Sequence, residues 1–106
     1  MAQFDVHRNT GKNREPIPFV VVVQSSLFDN YRRKVVVPLV LKSSVATISD
    51  ARFNPTFEVR NVEVVLHPLE IVSVANERLG EFVQSLADEG GRITDALDGL
   101  LTRAWG

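Results

Sequence analysis

Phe19-Val20-Val21-Val22-Val23, Gln24-Ser25-Ser26-Leu27-Phe28-Asp29-Asn30-Tyr31-Arg32-Arg33 and Lys34-Val35-Val36-Val37-Pro38-Leu39-Val40-Leu41 form two apolar runs around a polar turn. Both runs are β-branched and too short for an amphipathic helix, so each reads as a strand. The first is continuous enough to be covered on both faces or nearly so. Asp29 and Asn30 favour the turn between them, which also displays Leu27, Phe28 and Tyr31. Arg32-Arg33-Lys34 enters the second strand as a basic cluster, expected to be a solvated turn. Pro38 lacks a ladder donor and predicts an edge or a bulge.

Outward from this pair, Gln3 to Arg8 alternates, with Phe4 and Val6 on one face and Asp5 and His7 on the polar one. Asn9 to Pro18 reads as a long exposed hairpin loop. Residues 42–54 are polar and read as a connection. Thr56 to Arg60, Val62 to Leu66 and Leu69 to Val74 read as short strands, with Arg60-Asn61 a tight turn and His67-Pro68 a break. Short strands with turns between them predict a small barrel or a two-sheet arrangement. At the end the period changes. Ile93, Ala96, Leu97, Leu100, Leu101 and Ala104 share one helical face. The helix is expected to start between Asp88 and Gly91, with Asp88 as N-cap.

The chain has 106 residues, 44% hydrophobic and 24% charged. That predicts one domain over residues 1–106, too apolar for disorder. No apolar run approaches the roughly 20 residues of a membrane span, no signal peptide is apparent, and a cytoplasmic location is expected. With no cysteine, disulfides, thiolate metal sites and cysteine nucleophiles are excluded. The net charge of −1 is unevenly distributed. Residues 1–60 carry nine basic and five acidic side chains, residues 61–106 three and eight. A split of this kind suits a protein that meets an acidic partner on one surface.

Catalytic groups are thin. His7 and His67 are far apart in sequence and read as surface histidines without an orienting partner. No metal-ligand spacing occurs, no cofactor is implied, and Gly90-Gly91 lacks the surroundings of a phosphate cradle. Trp105, one residue from the end of the sequence, lies at the margin of the apolar stripe. It reads either as a tryptophan folded back on the barrel or as a partly exposed binding anchor.

Several stretches together resemble the CcdB family of toxins, which poison DNA gyrase. They are Gln3-Phe4, Val6, Phe19-Val20, Val23-Gln24-Ser25, Asp29, Arg32-Arg33, Val35-Val36-Val37-Pro38-Leu39, Asn54-Pro55, Val74, Gly80-Glu81, Val83, Leu86, Ile93, Ala96 and Trp105-Gly106. The resemblance implies a mainly β, small α+β fold: an SH3-like barrel of antiparallel strands with a C-terminal α-helix, forming a homodimer, as in CcdB and MazF toxins. It implies no enzyme activity. The terminal tryptophan and glycine, here Trp105 and Gly106, would enter the gyrase A subunit, beside the apolar pair Leu27 and Phe28. Asp98 falls where the family has a gyrase-facing asparagine. Aligning Ile93 and Ala96 with the family helix leaves Trp105 about one turn further out, about 4.5 Å at 1.5 Å per residue. The family commonly has one more apolar residue after Trp-Gly.

The resemblance also implies a CcdA-like antitoxin whose disordered segment folds onto the toxin, with DNA met only through the toxin–antitoxin complex. An acidic or mixed-charge segment of that kind would find Arg8, Lys12 and Arg14 on the first loop. Two alternatives stand beside gyrase poisoning. One is an mRNA endoribonuclease of MazF/Kid type, drawing on Arg32, Arg33, Asp29, His7 or His67. The other is a toxin fold that keeps antitoxin binding and has lost its target.

Overall fold

The two valine-rich runs are hydrogen-bonded neighbours in a computed structural model, which describes residues 2–48 and 50–101. Among the described residues, seven strands make one antiparallel sheet. They are β1 (Asp5–Arg8), β2 (Phe19–Val22), β3 (Arg33–Leu41), β4 (Thr56–Val59), β5 (Val62–Leu66), β6 (Val72–Ala75) and β7 (Phe82–Ser85), followed by helix α1 (Gly90–Leu101). The order across the sheet is β4-β5-β3-β2-β1-β7, and β6 also pairs with β3.

β3 serves two partners on one side because it is nine residues long. It pairs with β6 along Arg33–Val36 and with β5 along Leu39–Leu41. Pro38 occupies the handover between them, so the expectation of an edge or bulge is corrected. Its carbonyl accepts from the His67 N–H at 3.1 Å, which places its missing donor on the same side, where neither ladder asks for one.

The sheet curls until its ends meet through side chains. Arg60 donates to the Val83 carbonyl at 3.1 Å, and Gln84 donates to the Glu58 carbonyl and accepts from the Arg60 N–H, both at 3.3 Å. Arg60 and Asn61 form the expected turn, with φ of 52° and 65°. Positive φ at both positions of a two-residue hairpin matches the twist of the flanking strands. The result is a half-barrel. Its concave side holds Val6, Phe19, Val21, Val37, Leu39, Phe57, Val59, Val64, Leu66 and Val83, covered by Ile93 and Ala96 of α1. Each such side chain contributes about 1.5–3 kcal/mol on burial.

Four local expectations change. β1 starts at Asp5 because Phe4 turns the chain with φ 70°, its N–H bonded to the Val22 carbonyl at 2.6 Å and its carbonyl to the Leu86 N–H at 2.8 Å. Pro68–Glu70 is a 3₁₀ turn, which delays β6 to Val72. Asp88 lies inside a 3₁₀ turn, Ala87–Glu89, that leads into α1 at Gly90, so it is not the N-cap of the helix. Ser85 Oγ instead accepts from the Ala87 N–H at 3.1 Å.

His7 is the fourth. It is buried, at 6% exposure, because β7 pairs along the outer edge of β1 and sets Phe82 edge-on against the imidazole at 6.0 Å. Nδ1 lies 3.0 Å from the Gly80 carbonyl.

Candidate functional site

The loop between β2 and β3 presents the most exposed apolar side chains near the residues singled out from sequence. Ser25 Oγ accepts from the Leu27 N–H at 3.2 Å and starts a 3₁₀ turn over Ser26–Phe28. The turn holds Leu27 at 87% exposure, Phe28 at 46% and, just beyond, Tyr31 at 63%. Phe28 and Tyr31 pack edge to face at 5.6 Å. Large apolar groups this open carry interface energy when a partner covers them.

Beneath these side chains lies a polar frame. Lys34 is 1% exposed, which corrects the expectation of a solvated basic cluster. Its Nζ donates to the carbonyls of Asp29 at 3.0 Å and Tyr31 at 2.9 Å, and to Asn76 Oδ1 at 3.2 Å. Those three bonds use every donor of an ammonium. Asn76 also donates through Nδ2 to the Tyr31 carbonyl and through its backbone N–H to the Arg32 carbonyl, each at 2.9 Å. Gln24 Nε2 donates to the carbonyls of Phe28 at 2.9 Å and Arg33 at 3.3 Å, while its Oε1 accepts from the Val35 N–H at 3.1 Å. Lys34 faces outward on β3, away from the main core, and the loop folds over it. Neither it nor Asn76 is distinguishable in sequence from an ordinary strand-entry lysine and turn asparagine.

The remaining candidates fall on other elements. Asp98 is exposed on α1. Trp105 and Gly106 lie outside the described residues. Arg8 and Lys12 are brought together at a recess of about 300 Å³ on the outer face of the sheet, floored by Val20, Val36, Pro38, Val72 and Val74. Arg78 joins them there, unanticipated from sequence, and among the described residues no carboxylate lines the recess. Arg8 is partly neutralised from the side by Glu81, at 2.7 Å. The loop above is braced by Asn9, which donates to the Ile17 carbonyl at 2.7 Å and accepts from the Gly11 N–H at 2.9 Å. Thr10 Oγ1 ties it to the Arg78 carbonyl at 2.7 Å. Arg14 lines a neighbouring groove with Lys12, its guanidinium donating to the Gly11 carbonyl at 3.3 Å.

The groups of the endoribonuclease alternative are dispersed. Arg33 is committed to Ser73, donating to Oγ and to the carbonyl at 2.8 Å each. His7 is in register with Val20 and thence Pro38. From Pro38 to Arg33 is about 16 Å along the strand, with two strand spacings, roughly 10 Å, across to β1. His67 has a buried Nδ1 without a hydrogen-bond partner and sits at the far end of β5. Among the described residues no cluster of His, Asp or Glu is arranged to hold a metal ion, and no helix is long and apolar enough to cross a membrane.

This geometry has known counterparts. A solved structure described as an endoribonuclease in complex with its cognate antitoxin from Mycobacterial species is similar, with a TM-score of 0.74 at 14% identity. The likeness covers 100% of this chain and 99% of that one, and at such low identity it shows the fold. No curated protein sequence matches the chain. A family model described as CcdB protein matches residues 3–103. With the half-barrel, the terminal helix and the 24–39 block all inside that span, the chain belongs to the CcdB family.

Proposed function

We propose that this protein is the toxin of a toxin–antitoxin pair and acts by binding the DNA gyrase A subunit, holding the gyrase–DNA cleavage complex. The observation that carries the reading is the CcdB family match over residues 3–103. The apolar pair that the family resemblance assigns to gyrase, Leu27 and Phe28, stands out from a hydrogen-bonded loop. Trp105, Gly106 and Asp98 complete the proposed surface from the end of the chain. The mechanism requires no chemistry from the toxin: its side chains occupy a site on the enzyme. In a homodimer two such surfaces would act together. Leu101, 73% exposed at the end of the described helix, is apolar surface that a two-fold partner would cover.

The antitoxin is proposed to dock on the Arg8, Lys12 and Arg14 loop. Cations above an apolar recess suit a segment bearing both carboxylates and aliphatic side chains.

Expression of the wild type and of Trp105→Ala, with growth and plasmid supercoiling followed together, tests the gyrase reading. Growth arrest and gyrase-dependent DNA breaks by the wild type, lost in the variant, are expected. Equal arrest by both removes the tryptophan anchor.

A second reading, mRNA cleavage, draws support from the solved endoribonuclease of similar fold. Against it stand the burial of His7 and the engagement of Arg33 with Ser73. Incubating the purified protein with RNA separates the two. Site-preferring cleavage abolished by Arg32→Ala would replace gyrase binding as the activity.

A further inference from the structure

We infer that Lys34 and Asn76 are positioning residues that hold the Leu27–Phe28–Tyr31 surface in its binding shape. The inference rests on the reading of Leu27 and Phe28 as partner-binding side chains, and adds Tyr31 to them.

The ammonium of Lys34 is buried, and among the described residues no carboxylate forms an ion pair with it. Its partners are two main-chain carbonyls of the loop, Asp29 and Tyr31, and the side-chain oxygen of Asn76. A buried charge satisfied in this way is costly to leave unpaired. Those acceptors converge only when the loop is folded as observed. Opening the loop would strand the ammonium among Val36 and its neighbours or draw it into water, so the loop conformation and the burial of Lys34 are one equilibrium.

Asn76 couples the same loop to the end of β6. It uses its oxygen on Lys34, its amide on the Tyr31 carbonyl, and its backbone N–H on the Arg32 carbonyl. The loop's polar backbone is thus bound on the inner side, while its apolar side chains are left without a core to fold into. A flexible loop carrying Leu27, Phe28 and Tyr31 would collapse onto itself or onto the sheet. A pinned one keeps them apart from the sheet and offers them to a partner. Binding then avoids the cost of ordering the loop backbone. The partner chemistry follows from the exposed set: an apolar protein cleft wide enough for one aliphatic and two aromatic side chains, with room at its rim for the cation Arg32.

Lys34→Met and Asn76→Ala, made in the full-length protein, test the inference through two readouts. The first is the rate of tryptic cleavage at Arg32 and Arg33 under native conditions, which reports loop order without reference to any partner. The second is affinity for the purified gyrase A subunit. Each variant is expected to be cleaved at least about tenfold faster, and to bind at least about tenfold more weakly, with far-UV circular dichroism unchanged. Leu27→Ala should weaken binding as much while leaving cleavage as in the wild type, which separates display from contact. Asn76 is only partly buried, so its variant carries the test if Lys34→Met does not fold. Unchanged cleavage in the folded variants overturns the inference, as does gyrase affinity that falls in Leu27→Ala but not in them. If the wild type itself does not bind the gyrase A subunit, the proposed target is wrong, and the cleavage rates still decide whether Lys34 and Asn76 pin the loop.

Discussion

The ring of Phe4 lies directly over the backbone of Gly90: a Cβ built on that glycine would stand 2.5 Å from Phe4 Cε2. Phe4 cannot easily withdraw, because its backbone is bonded on both sides, to Val22 and Leu86. The contact joins the start of the barrel to the start of the helix, and it explains why a glycine opens α1 despite its poor helix propensity.

Gly90→Ala is therefore expected to destabilise the fold by about 1–3 kcal/mol through overpacking. Nothing lies within 4 Å of a Cβ at the adjacent Gly91, so Gly91→Ala should stabilise by up to about 1 kcal/mol from helix propensity alone. Urea unfolding of the two variants decides the matter. A shift of both midpoints in the same direction would refute the steric account.

Arg92 fastens the other side of the helix start. Its guanidinium lies 4.4 Å from the centre of the Phe57 ring, and it donates to the Thr56 carbonyl and to Glu89, each at 2.7 Å. A lysine cannot reproduce the planar fork and the stacking together. Arg92→Lys should cost about 1 kcal/mol, whereas Glu89→Gln, which touches only a half-exposed ion pair, should cost under about 0.5 kcal/mol. Thermal unfolding monitored by circular dichroism ranks the pair.

Leu27→Ala and Phe28→Ala should leave stability within about 0.5 kcal/mol of the wild type, since neither side chain is buried. Each should nonetheless weaken binding to the gyrase A subunit by about tenfold or more, and relieve growth arrest in proportion. Normal toxicity of the double variant would move the binding surface elsewhere.

Charge reversal on the first loop should act on rate. Lys12→Glu with Arg14→Glu is expected to slow association with the antitoxin about tenfold at low ionic strength, the difference shrinking as salt is raised. Identical association rates for wild type and variant at low salt would exclude this loop as the acidic segment's landing site.

Much of the architecture was legible from the side-chain pattern. The valine runs at 19–23 and 34–41 read as strands, Arg60-Asn61 as a tight turn, and the spacing of Ile93, Ala96 and Leu97 placed the helix. The strand at Phe82–Ser85 was not legible, because its four residues alternate too briefly to stand out. Missing it misplaced His7: the alternation of β1 correctly put this side chain opposite Val6, but there the Phe82 ring and the Gly80 carbonyl, more than seventy residues away in sequence, pack against it. Of the candidate site, the exposure of Leu27, Phe28 and Tyr31 followed from their place in a turn rich in polar residues.

What holds that turn did not follow. The pattern of the chain determines which segments are extended, which is helical and where the chain reverses, because these depend on neighbours a few positions away. The tertiary structure decides which faces are covered. Lys34 reads as a solvated charge beside Arg32 and Arg33 until Asn76, forty-two residues later in the chain, arrives beside it. A buried charge is tolerable only where acceptors converge, and that convergence is a property of the folded sheet.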